Sequence, residues 1–120
     1  MAKREPAKSF RDLIVWQKAH QLALGVYKMT KSFPKEELYG STSQVKRSSV
    51  SVAANIAEGF KKKGKADKLR FFNIAQGSLS ETEYYLILAN DLEYFNTDLL
   101  IEDVIEVGRL LESYMSAFEN

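Results

Sequence analysis

The residues best suited to chemistry lie in "NIAEGFKKKGKADKLRFF", residues 55–72. Lys61, Lys62, Lys63, Lys65, Lys68 and Arg70 crowd together there, directly after an apolar helical pattern that ends at Glu58-Gly59-Phe60. Clustered ammonium groups suit phosphate, because neutralising a nucleic-acid backbone releases condensed counterions. Lys46 and Arg47 stand near the other end of the same helical segment. The candidate nucleic-acid contacts are therefore Lys46, Arg47, Lys61, Lys62, Lys63, Lys65 and Lys68. The same lysines also suit a solvated turn, since cations near a helix C-terminus complement its dipole. Charge favours the first reading without excluding the second. Residues 1–70 carry 16 Lys/Arg against 6 Asp/Glu, and residues 71–120 carry 1 against 10, although the whole chain is only +1. Halves of net +10 and −9 imply a binding face, or two faces that attract each other.

Other chemistries lack their residues. The chain has no cysteine, which removes disulfides, thiol nucleophiles and thiolate metal sites and fits a reducing cytoplasm. Helical di-iron sites need paired Glu-x-x-His units, but the one histidine, His20, follows Gln17 at that spacing. The serines of "RSSVS" and "GSLS" lie in helical patterns without a glycine elbow, and "GKADK" lacks the full phosphate-loop pattern. Glu58, Glu81 and Glu83 are lone glutamates. No catalytic residue, metal ligand or cofactor is expected, and the protein is expected not to be an enzyme.

Four helices must position these residues. Leu13, Trp16, Ala19, Ala23, Val26, Tyr27 and Thr30 recur in steps of three and four, predicting a helix over about 11–32 that stops before Pro34. Ser9 or Asp12 is expected to cap it, and Ser41 to cap the next, over about 41–60. That second helix carries Val45, Ser49, Val52, Ile56 and Gly59 or Phe60. The third restarts near Ala66 with two apolar stripes. One is Leu69, Phe72, Ala75, Leu79, Thr82, Leu86 and Ala89; the other includes Phe71, Ile74, Ser78, Tyr85 and Leu88. A bundle core covers only one of them, so Phe71, Ile74, Tyr85 and Leu88 are expected at an oligomer interface. Asn96 or Thr97 should cap the fourth helix, with Leu100, Val104, Val107, Leu111, Tyr114 and Phe118 inward. Short links make neighbours antiparallel, giving an all-α, up-down-up-down four-helix bundle over residues 10–120 behind a flexible tail at 1–9. The charged start "MAKREPAK" predicts no signal peptide, and no stretch predicts a membrane span. Asn55, Glu58, Arg70, Ser78 and Glu81 are polar residues among apolar stripes and are read as structural, with Arg70 expected to return near Glu58 across the hinge.

Three segments carry a resemblance: "FRDLIVWQKAHQLALGVY", "FPKEELYGSTSQVKRSSVSVAANIAEGF" and "FFNIAQGSLSETEYYLILANDL". Together they resemble the 23S rRNA-intervening-sequence proteins, a four-helix-bundle family similar to the accessory variability protein of diversity-generating retroelements. The resemblance implies a barrel-like homopentamer without established catalytic residues. The retroelement relatives bind nucleic acid and a reverse transcriptase through basic surface, so RNA or DNA and such a protein are the implied partners. Two departures stand out. Val52-Ala53-Ala54 replaces a common Ile-Pro-Ser, removing a proline from helix two, and Thr82 replaces a usual leucine in the apolar stripe. The alternative is an oligomeric scaffold without a nucleic-acid role.

Overall fold

The computed structural model describes residues 6–119. Of the expected tail, residues 1–5 lie outside the described residues, as does Asn120. The helices are α1 (Ile14–Thr30), α2 (Ser41–Lys61), α3 (Lys65–Asp91) and α4 (Asp98–Ser116). Each packs on the next, and α4 closes on α1, which makes an antiparallel four-helix bundle measuring 47 × 31 × 22 Å. No helix among the described residues is long and apolar enough to cross a membrane.

Local hydrogen bonding moves two starts away from their expected places. Ser9 Oγ accepts the Arg11 amide at 3.2 Å, while the Asp12 carboxylate accepts the Lys8 and Ser9 amides at 2.9 and 3.1 Å. This reciprocal box closes a 3-10 turn over Phe10–Asp12. Leu13 is then extended, at φ −78° and ψ 125°, so α1 starts at Ile14 instead of 11. The N-cap of α2 is Gly40, not Ser41. Ser41 is already helical, and its hydroxyl and that of Thr42 are buried without a hydrogen-bond partner. A Glu37 carboxylate oxygen lies 3.5 Å from the Ser41 amide, where the helix dipole favours negative charge. The other Glu37 oxygen accepts the Tyr94 hydroxyl at 2.8 Å. That bond, followed by desolvation, holds the Tyr94 phenol above its ordinary pKa. At α4, Thr97 spends its hydroxyl on the Leu86 carbonyl, at 2.8 Å, and Asn96 accepts the Asp98 amide at 3.1 Å.

The α3 C-terminus closes with two backbone bonds, Tyr94 N–H to Ala89 O at 2.9 Å and Glu93 N–H to Asn90 O at 3.0 Å. This pairing requires a left-handed residue, and Glu93 supplies it at φ 62°. A side chain there costs about 1 kcal/mol relative to glycine. Glu93→Gly is therefore expected to stabilise the fold by about that amount, read as a raised denaturation midpoint at unchanged m-value.

The buried stripes on α2, α3 and α4 match the sequence pattern, with Val45, Ile56, Phe72, Leu86, Val107 and Leu111 at or near zero exposure. On α1 the inward face is Val15, Ala19, Leu22, Ala23, Val26, Met29 and Thr30. Trp16 is only half-buried and Tyr27 is exposed. Ala19, Ala23, Val26 and Thr30 of the expected stripe are thus inward, with Leu13 and Trp16 packed against the core, and Tyr27 alone of that stripe turns out to solvent.

The closest pair is α2 with α3, because small residues line the seam. Ser48 Oγ lies 2.8 Å from Thr82 Oγ1, and Ser51 Oγ lies 2.8 Å from Ser78 Oγ. Thr82 also donates to Ser78 O at 2.9 Å, so a fully buried hydroxyl in the apolar stripe is satisfied. Further along, Gly59 lies directly against the Phe72 ring.

Candidate nucleic-acid interface

The lysine run is the break between α2 and α3. Lys62 is extended, at φ −69° and ψ 147°, and ends α2; Gly64 is the N-cap of α3. The lysines do not all behave alike. Lys61, Lys63 and Lys65 are exposed and form no ion pair among the described residues. Lys62 is half-buried, with its ammonium 5.1 Å from the centre of the Phe71 ring. Lys68 donates to the carbonyls of Gly59 and Phe60 at 3.3 and 2.8 Å. It thereby satisfies orphan carbonyls at the end of α2, and it also lies over the rings of Phe60 and Phe118. Lys68 is thus a capping residue first.

At the opposite end of α2, Lys46 lies 4.9 Å from the centre of the Tyr27 ring. Arg47 is bound to Glu81 across the α2–α3 seam and to Gln44 on its own helix. Among the described residues the seven cations therefore separate into three without a partner at the hinge and four engaged with protein groups.

The polar set also divides. Asn55 donates to Ser51 O and Ser51 Oγ at 2.9 and 3.0 Å, and Ser51 in turn meets Ser78. Asn55, Ser78 and Glu81 thus belong to the seam. Glu58 is exposed and makes no ion pair among the described residues. Arg70 pairs with Asp67, one turn before it, at 3.9 Å, instead of returning to Glu58, and its guanidinium covers Phe71 at 4.6 Å. A neighbour on the same helix turn needs no long-range docking, so the local pair wins.

On α3, Ile74 is exposed, Phe71 and Leu88 are half-buried, and Tyr85 packs against the core. The exposed apolar ridge comprises Ile74, Tyr84 and Ile87, with Tyr84 58% exposed. A second apolar surface went unread in the sequence. It is a groove of about 450 Å³ between α1 and α2, lined by Trp16, His20, Leu24, Tyr27, Val50 and Ala54 among others. Trp16 and His20 stack there, 5.1 Å apart and 10° from parallel. The Trp16–His20 spacing of four was the available sign, since such a pair shares one helix face.

No group of three His, Asp or Glu side chains among the described residues is placed to hold a metal ion. What remains is an antiparallel helical bundle with a cationic hinge at one end and apolar outer faces. The chain belongs to the 23S rRNA-intervening sequence protein family, whose pattern matches residues 11–113. It is similar to a crystal structure of a protein of unknown function from the S23 ribosomal protein family of Bacteroides thetaiotaomicron VPI-5482. That likeness has a TM-score of 0.76 and 29% identity, over 85% of this chain and 98% of the other. No curated protein matches the chain.

Proposed function

We propose that this protein is a non-enzymatic, homo-oligomeric helical module that binds nucleic acid through its α2–α3 hinge. The carrying observation is the trio Lys61, Lys63 and Lys65, exposed and without carboxylate partners among the described residues, at one end of the bundle. Unpaired ammonium groups keep their full attraction for phosphate. The family's name, which refers to sequence intervening in 23S rRNA, agrees with an RNA-linked role.

The test replaces Lys61, Lys62, Lys63 and Lys65 together with glutamine. Binding to a generic RNA and to duplex DNA should weaken to a similar degree for every sequence tried. Parent-like affinity in the variant contradicts the assignment of this site.

Assembly rests on the α3 ridge and on the α1–α2 groove. They lie on different helices, which suits a head-to-tail ring better than a two-fold pair. On α4, burial first and then Glu106 lift the Asp103 carboxyl above its ordinary pKa, with Lys18 of α1 opposing them. Five copies is the number carried by the resemblance. An oligomeric scaffold without nucleic acid is the second reading, favoured by the ridge and groove alone.

A further inference from the structure

Beside the hinge lies an open hollow of about 990 Å³, between the turn that precedes α1, the end of α2 and the last turns of α4. Leu13, Ile14, Phe60, Leu110 and Tyr114 give it an apolar and aromatic lining, and Lys8 stands in its wall. Lys61 follows Phe60 directly in the chain, so the exposed cations of the hinge begin one residue beyond the wall. Its wall also holds one carboxylate, Asp12, already turned onto the amides of Lys8 and Ser9. Tyr114 meets Phe72 and Phe118 edge-on, at 5.2 and 5.3 Å, which fixes its ring. Its hydroxyl makes no hydrogen bond among the described residues.

We infer that this hollow receives an unstacked nucleobase, and that the hinge therefore selects single-stranded over duplex nucleic acid. The inference rests on the nucleic-acid reading above and narrows it. Single-strand sites join a cationic track for the backbone to aromatic faces on which bases stack. Here the track is Lys8 with Lys61, Lys63 and Lys65, and the aromatic groups are Tyr114 and Phe60, one face of which Lys68 already covers. A duplex keeps its bases inside its own stack and offers the hollow nothing to take up. The free Tyr114 hydroxyl adds a polar group within apolar walls, suited to a base carbonyl or ring nitrogen. Burial holds this phenol above its ordinary pKa, so it stays a donor at neutral pH.

The experiment titrates the full chain with a labelled oligothymidylate, an abasic strand of equal length and a duplex of equal length, by anisotropy at low salt. The parent should bind the oligothymidylate about tenfold more tightly than the abasic strand, and more tightly than the duplex. Phe60→Leu retains an apolar side chain, and Ile14→Asn alters an exposed residue. Each should remove most of the preference for bases while leaving abasic binding unchanged. Equal binding of base-bearing and abasic strands by the parent overturns the base site but spares the hinge. Duplex binding as tight as single-strand binding does the same. No binding of any of the three overturns both.

Discussion

Gly59→Ala is expected to destabilise the bundle by about 1–3 kcal/mol, although alanine is the better helix former. In an unconstrained helix interior the change would stabilise by about 1 kcal/mol. Here a Cβ would lie 2.4 Å from Phe72 Cε1 and 2.8 Å from Cδ1. The ring has no easy retreat. Phe72 is fully buried, with Tyr114 and Phe118 against it at 5.2 and 5.9 Å. Phe72→Leu should relieve the clash at its own cost. On that background Gly59→Ala should become neutral or stabilising, and the two changes should couple strongly in a double-mutant cycle. Urea unfolding of the four proteins measures this directly. A Gly59→Ala protein as stable as the parent would mean that α2 and α3 do not approach as described.

The second large effect concerns assembly. Ile74→Asp on the ridge, or Leu24→Asp in the groove, should each dissociate the oligomer to a 13.7 kDa monomer in sedimentation equilibrium. Both residues are substantially exposed in the single chain, 44% and 50%, so neither charge should unfold it. A buried unpaired carboxylate at an interface is costly, and burying each apolar side chain there is worth about 1.5–3 kcal/mol. Mixing the two variants discriminates further. In a head-to-tail ring one intact ridge and one intact groove remain between unlike variants, so the mixture should form heterodimers and nothing larger. A two-fold ridge-to-ridge pair predicts instead that Leu24→Asp alone remains dimeric and that mixing adds no association between unlike variants. A monomeric parent at micromolar concentration removes the assembly proposal altogether.

The bundle was legible because its signals are local and repeated. Pro34, the lysine break and three inward stripes mark four helices without reference to any long-range contact. The phase of α1 was legible in part: Ala19, Ala23, Val26 and Thr30 are buried and Leu13 and Trp16 pack against the core, but Tyr27 is exposed and the buried Val15, Leu22 and Met29 were not marked by the spacing. The number of lysines in the hinge was evident, but their division of labour was not. Lys68 and Lys62 reach carbonyls and a ring that only the folded turn brings within range. Spacing put Tyr85 on the outer stripe, where it is half-buried against the core, while its neighbour Tyr84 is the more exposed of the two. Adjacent positions differ by about 100° on a helix, enough to exchange core for solvent. The hollow beside Phe60 was beyond sequence reasoning, because its walls come from three separated segments.

The salt dependence of nucleic-acid binding tests the central claim most directly. Affinity for a generic single strand should fall steeply and linearly on a log–log plot. Replacing Lys61, Lys62, Lys63 and Lys65 with glutamine should reduce the slope by about 2, at roughly 0.7 for each phosphate that Lys61, Lys63 and Lys65 no longer neutralise. A parent that binds no nucleic acid at low salt, or a variant with the parent's slope and affinity, would contradict the account.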